Sequence, residues 1–162
     1  MLRAYGRLLL FLLLVASAGC GPAVDLTKGL TINVVKSGWY DAGVINGQTK
    51  LVPSMTFTVT NASDQKLRML QINSLFRRVS EPDEWGSALL TVAGSDGLAP
   101  GATSPPLTIK SNLGYTGSDQ SRQEMLSNSH FVDAKIELFA KYGSTQWVRI
   151  GDYPIKRELQ AK

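Results

Sequence analysis

The feature that most constrains this chain is an alternation of apolar and polar residues with a period of two. It is clearest at Leu51, Pro53, Met55, Phe57 and Val59, which alternate with Val52 and a run of serine and threonine positions. Successive side chains of an extended strand point to opposite faces of a sheet, so this period predicts a β-strand with one buried face. The same period begins at Leu30, Ile32 and Val34.

The last third of the sequence predicts a hairpin. Residues 134–142 carry apolar side chains at alternate positions, Gly143–Thr145 supplies a turn, and Val148 and Ile150 resume the apolar face. Beyond Gly151 the alternation slips by one position, which predicts a β-bulge at Gly151-Asp152. Pro154 lacks a backbone N–H, so this strand is expected at the edge of its sheet.

The remaining segments are shorter. Residues 66–79 and 88–93 are expected to be strands, residues 94–106 form a long loop rich in proline and glycine, and 119–126 is expected to be a short helix capped by Ser118 or Asp119. About seven short strands with one helix predict an all-β fold, an antiparallel β-sandwich. The Leu98–Gly101 turn and the end of the strand at Phe57–Asn61 resemble immunoglobulin-like accessory domains of bacterial envelope proteins.

The first twenty residues have the pattern of a targeting signal. Arg3 and Arg7 precede an apolar run, Leu8–Ala16, which ends in small residues before Cys20, the one cysteine of the chain. The run is roughly half of the ~20 residues that cross a bilayer, which argues against a transmembrane helix. An ordinary secretory signal cut near Ala18 is the alternative.

This segment resembles a bacterial lipoprotein signal peptide. Ala18, Gly19 and Cys20 match the lipobox of that family, whereas Ser17 stands where the family usually has leucine. The resemblance implies removal of residues 1–19, acylation of Cys20, a tether over 20–28 and a single sandwich domain over 29–162. Gly21 stands where aspartate retains such proteins in the inner membrane, so the periplasmic face of the outer membrane is expected. An acylated Cys20 leaves no thiol for a disulfide, and the core alone must then hold the fold.

The charge pattern argues against nucleic acid as a partner. Arg3 and Arg7 account for two of the 17 basic residues, so 15 remain against 13 acidic ones. These charges are interspersed, and Arg77-Arg78 is followed closely by the acidic run Glu81–Glu84. A basic stripe that could follow a phosphate backbone is missing from the sequence.

Catalytic and metal-binding patterns are weak. His130 is the one histidine, with Ser129 and Asp133 near it in sequence, but residues this close on a strand point to opposite faces. A zinc site needs three or four ligands, and Glu81–Glu84 lacks the spacing of a calcium loop. We therefore expect no enzyme activity, no cofactor and no metal.

Aromatic residues are the better candidates for partner contacts. Trp39 and Tyr40 are expected in a loop, Trp85 and Tyr115 in or near loops, and Phe139 and Trp147 on the outward face of the last hairpin. The alternative is that these rings fill the ends of the sandwich.

Two functions of different kinds are compatible with this pattern. The first is a lipid-anchored, non-enzymatic module that binds another envelope protein. The second is a carrier or sensor that holds a small hydrophobic or glycan ligand between its sheets, for which a large apolar cavity is required. A hydrolase is the third and needs convergent carboxylates or a cluster around Ser129 and His130.

Overall fold

A computed structural model describes residues 22–160 as two β-sheets packed face to face. The predicted signal segment 1–19 and Cys20 lie outside the described residues. Nine strands and two short helices occur in the described part of the chain. In chain order they are α1 (Leu26–Gly29), β1 (Leu30–Ile45), β2 (Gln48–Asn61), β3 (Leu70–Arg78), β4 (Gly86–Ala93), β5 (Leu107–Lys110), β6 (Tyr115–Gly117), α2 (Arg122–Ser127), β7 (Ala134–Lys141), β8 (Val148–Pro154) and β9 (Leu159–Gln160).

The first sheet is built around the long β1–β2 hairpin, with the order β5-β2-β1-β9 and β6 paired to another part of β2. Asn46 and Gly47 form its turn with φ angles of 52° and 77°. Positive φ at both central positions is the geometry that matches the twist of a two-residue hairpin, and Asn-Gly adopts it at little cost.

The second sheet has the antiparallel order β4-β3-β7-β8. The chain crosses between sheets from β2 to β3 and again from β4 to β5, so that β5 lies beside β2 while β7 lies beside β3. This is the Greek-key arrangement of an immunoglobulin-like sandwich, and it confirms the predicted fold class. The count exceeds the expected seven because β6 and β9 are three and two residues long, too short to give a periodic signal.

The core lies between the sheets and is filled by the alternating residues of their central strands. Phe57 of β2, Phe76 of β3 and Leu138 of β7 are fully buried. Their strands run across the whole sandwich, so deletion of any of these side chains leaves a cavity that neighbours cannot easily close.

The predicted bulge in the last strand is present one residue earlier than expected. Leu138 pairs with Gly151 and Phe139 pairs with Arg149, so Ile150 is the extra residue. β8 pairs with β7 alone and forms the sheet edge, as predicted from the missing backbone N–H of Pro154.

Two bulges account for an error in the sequence interpretation of β1. Trp39 and Tyr40 were expected in a loop but lie within this strand. Val35 and Ala42 are the extra residues at its two register shifts. Each bulge reverses the alternation beyond it, so the sequence shows no continuous period of two.

The helix α2 begins later than predicted, at Arg122 instead of Asp119, and its cap is neither Ser118 nor Asp119. Ser121 Oγ accepts from the backbone N–H of Glu124 at 3.2 Å, and the Glu124 carboxylate accepts from Ser121 N–H at 2.7 Å. This reciprocal capping box satisfies N–H groups of the first turn and sets the boundary.

Residues 22–28, most of the predicted tether, pack against the sandwich. Leu26 is 1% exposed, and Asp25 caps the four-residue helix α1. Residues 22–160 contain no helix with the length and apolarity that a membrane crossing requires.

Candidate functional site

The two sheets present different outer surfaces to solvent. On the first sheet, threonines pair with one another across strands, with oxygen–oxygen distances of 2.8 Å for Thr56–Thr108 and 2.8 Å for Thr60–Thr103. On the second sheet, Leu89, Asn73, Phe139 and Arg149 form one register row across all four strands. The β2–β5 part of the first surface therefore carries small polar side chains, and β1 beside it exposes Val35, Val44 and Ile45. The row on the second surface combines Leu89 and Phe139 with polar and charged side chains.

We call this second surface the outer face. It comprises the outward side chains of β3, β4, β7 and β8 together with Trp147, which directly precedes β8. It includes Asn73, Leu75, Arg77, Leu89, Lys135, Glu137, Phe139, Lys141, Trp147, Arg149 and Asp152.

Large apolar groups on the outer face lie toward its two edges. Leu89 is 60% exposed on β4 and Trp147 is 39% exposed beside β8, while Phe139 lies half-buried between them. The Lys141 ammonium nitrogen lies 4.9 Å from the centroid of the Trp147 ring. Such apolar groups framed by cations are typical of surfaces that contact another molecule.

Glu137 lies at the centre of the charged part of the outer face and is 9% exposed. Its carboxylate contacts Arg77 Nε at 3.3 Å, Lys135 Nζ at 3.1 Å and Arg149 Nη2 at 3.8 Å. Desolvation alone would raise the pKa of Glu137, but hydrogen bonds from Lys135 and Arg77 and their positive charges outweigh it and lower that pKa. One ionised carboxylate thus holds three cationic side chains in place.

A second group of aromatic residues fills one end of the sandwich, where β3 ends and β4 and β7 begin. The Trp39 ring centroid lies 6.0 Å from that of Trp85, 5.5 Å from that of Tyr115 and 4.6 Å from that of Phe131. Trp39 is fully buried and so cannot touch a partner in this structure.

The other candidates at this end also have internal contacts. The Tyr115 hydroxyl donates to Val132 O at 3.2 Å and accepts from Val132 N–H at 3.0 Å. Trp85 is half-buried with the Arg78 guanidinium 5.0 Å from its ring centroid. This arrangement favours the alternative interpretation of Trp39, Trp85 and Tyr115, in which the rings stabilise the end of the sandwich.

Tyr40 belongs to neither group. It lies on β1, half-buried, with Lys110 Nζ 3.2 Å from its ring centroid. Its ring packs against the first sheet rather than against the aromatic end.

His130 is exposed in the loop before β7, as expected for a loop histidine. Its backbone N–H bonds to Asn128 Oδ1, and the Asp133 carboxylate accepts from Arg157 Nε at 2.9 Å. Asp133 is thus engaged by an arginine rather than orienting an imidazole. Within residues 22–160, no group of three or more His, Asp and Glu side chains is placed to hold a metal ion.

A surface groove of about 210 Å³ lies beside His130, with Tyr115, Met125 and Phe131 on its walls. It opens to solvent at the end of the sandwich and does not extend between the sheets, where fully buried side chains occupy the space.

Phe139 and Trp147 were predicted on the outward face of the last hairpin and lie there, whereas Leu89 and Glu137 were not singled out from the sequence. Leu89 is one of two adjacent leucines, and only strand pairing shows which of them points outward. Glu137 acquires its three cations from β3, β7 and β8, so its environment depends on long-range pairing that no local pattern records.

No protein-family model matches this chain, and no curated protein matches it either.

Proposed function

We propose that this chain is a lipid-anchored protein of the bacterial cell envelope whose sandwich is a non-enzymatic module that binds another envelope protein. The observation that carries the proposal is the outer face itself. There the exposed Leu89 and the half-buried Phe139 lie on the same face as three cations that share the Glu137 carboxylate.

The outer face is suited to recognition because it is held rigidly before any partner arrives. Phe139 lies on β7, a central strand, and Glu137 on the same strand fixes Arg77, Lys135 and Arg149. Side chains that are already ordered lose less conformational entropy on binding. Aromatic and arginine side chains are also the types that contribute most to protein–protein interfaces.

The anchor follows from the sequence of the N-terminal segment. Acylation of Cys20 with two or more chains would hold the protein stably at the periplasmic face of the outer membrane. Confinement of both partners to one surface raises their effective concentration, so a modest contact area suffices.

The second candidate function is a carrier that encloses its ligand between the sheets. The space between the sheets is filled by side chains, which is evidence against this function. Met55, Phe57 and Ile136 are all fully buried in that space. A carrier of this kind requires an apolar cavity of several hundred Å³.

Site-specific photocrosslinking in intact cells tests the partner proposal. A photoreactive residue at Phe139 or Leu89 is expected to capture one partner, and the matched position Thr58, on the threonine-rich surface of the other sheet, is expected to capture none. The charge reversal Arg149→Glu should lower the yield of crosslinking from position 139. Equal capture from Thr58 and Phe139 would contradict the assignment of the outer face.

The anchor is tested separately by Cys20→Ser. The unmodified chain is expected in the membrane fraction and the variant in the soluble periplasmic fraction. A variant that sediments with membranes as fully as the parent would contradict lipid anchoring through Cys20.

A further inference from the structure

The chain is fastened to the sandwich almost immediately after the proposed anchor. Gln65 Nε2 donates to Pro22 O at 2.8 Å, and the Val24 N–H donates to the Tyr142 hydroxyl at 2.7 Å. Only Gly21 separates Cys20 from Pro22. At the extended length of a residue, Cys20 lies at most about 7 Å from Pro22.

The end of the sandwich that carries Pro22 is formed by three loops, and we call it the anchor end. Residues 62–69 join β2 to β3, residues 94–106 join β4 to β5, and residues 142–147 join β7 to β8. Met69 N–H donates to Gly94 O at 2.8 Å and Gly143 N–H donates to Arg68 O at 3.1 Å, so the loops are tied together.

We propose that the anchor end docks directly on the bilayer surface, with Met69 and Trp147 in the interfacial layer of the lipid. This inference rests on the proposed acylation of Cys20, because the acyl chains bring this end to the membrane. The remaining reach of about 7 Å is too short for the sandwich to stand away from the surface on a free tether.

Exposed apolar side chains on the anchor end fit a lipid interface. Met69 is 48% exposed and Trp147 is 39% exposed. Met69 is also the site of an uncommon backbone conformation, with a φ of 51°. Tryptophan has an apolar ring with a polar N–H and is enriched where hydrocarbon meets headgroups.

The distribution of charge favours the same orientation. Basic and acidic side chains on the anchor end are nearly balanced: Lys28, Lys66, Arg68 and Lys141 against Asp25, Asp64 and Asp96. The densest acidic run, Glu81–Glu84, follows β3 and therefore lies at the opposite end. An anionic membrane would repel that end, whereas docking of the anchor end depends chiefly on its apolar groups.

The docked orientation leaves the outer face free. The strands of the outer face extend from the anchor end away from the bilayer, so Phe139 and Leu89 would not contact the lipid. Trp147 lies at the corner where the outer face meets the anchor end, and docking assigns its ring to lipid.

Fluorescence quenching by lipids brominated on their acyl chains tests the orientation. The acylated, membrane-extracted protein is reconstituted into such vesicles, and the quenched signal is compared between the parent protein and Trp147→Phe. We expect the parent protein to lose most of the emission that Trp147 contributes, and the variant to show no quenching beyond that of Trp39 and Trp85.

Two further variants in the Trp147→Phe background control for position. Met69→Trp on the anchor end should restore the quenching, and Val79→Trp, an exposed site at the opposite end, should not. If the protein is acylated and floats with the vesicles, but quenching is equal with and without Trp147, the docking proposal alone is wrong. If the protein is not acylated and does not float, the proposed function is wrong, and the docking proposal is wrong with it.

Discussion

Asn61 offers a stringent test of how this fold is held together. It is fully buried at the end of β2, and its side-chain amide donates to Gln65 O and to Leu98 O, both at 2.8 Å. Its side-chain oxygen accepts from Ser63 N–H at 3.0 Å and from Ser63 Oγ at 2.6 Å. One side chain thus joins the turn after β2 to the long loop 94–106.

Replacement of Asn61 by alanine removes all four hydrogen bonds. A net hydrogen bond contributes about 1 kcal/mol, and buried groups left unpaired cost more. Leu98 O still accepts from Leu67 N–H and Gln65 O from Ser63 Oγ, so each carbonyl keeps one donor. We therefore expect Asn61→Ala to lower the free energy of unfolding by roughly 2–4 kcal/mol.

The isosteric change Asn61→Asp separates hydrogen bonding from side-chain volume. It places a carboxylate oxygen against two carbonyl oxygens, so at neutral pH it should destabilise the protein at least as much as alanine does, despite its matching shape. Burial and the facing carbonyls raise the pKa of the introduced group in the folded state. The aspartate variant should accordingly gain stability relative to the alanine variant as the pH falls through that raised pKa.

Urea unfolding monitored by tryptophan fluorescence at several pH values measures these differences. Asn33→Ala, at an exposed position of β1, is the matched control and should change stability by less than about 0.5 kcal/mol. An Asn61→Ala loss no larger than that of the control, or an aspartate variant as stable as the parent at pH 7, would refute the reasoning.

The remaining predictions concern the outer face and the core. Glu137→Gln should lower the free energy of unfolding by about 1–3 kcal/mol at neutral pH, because it leaves three cations without their shared carboxylate. The control Glu81→Gln, which removes an exposed ion pair, should lower it by under about 1 kcal/mol. Since the folded-state pKa of Glu137 is lowered, its contribution is present at neutral pH and is lost as the pH falls below 4.5, so parent and Glu137→Gln unfolding curves should converge in acid. In urea unfolding, Leu138→Ala should lower the free energy of unfolding by about 2–5 kcal/mol and Leu89→Ala by under about 0.5 kcal/mol. Equal losses would show that the inward and outward faces of the sheet are wrongly assigned.

The sequence predicted those parts of the fold whose signal is local and regular. β2 and β7 show a period of two over most of their length, because each has one face on the core, and both were identified. The bulge in β8 was predicted from a phase slip and found at Ile150, one position from where the glycine suggested it. A bulge reverses the alternation wherever the extra residue lies, so the phase of the pattern locates it only approximately.

The errors arose where tertiary pairing overrides the local pattern. Trp39 lies in a segment bounded by Gly38 and Gly43 that was interpreted as a loop, yet it pairs with Pro53 within a strand and its ring is buried. Glu137 alternates with apolar residues like any solvent-facing position. Besides Lys135 of its own strand, Glu137 contacts Arg77 and Arg149 of the two neighbouring strands, and strand order is a property that single-sequence periodicity does not contain.

The proposed function depends on the acylation of Cys20, which would join the proposed binding module to the membrane. Mass spectrometry of the N-terminal peptide, taken from protein extracted from membranes of the native organism, tests it directly. We predict a mature chain that begins at Cys20 and carries the mass of a diacylglyceryl group on its thiol. A chain that begins at another residue, or a Cys20 with a free sulfhydryl, would contradict the central claim.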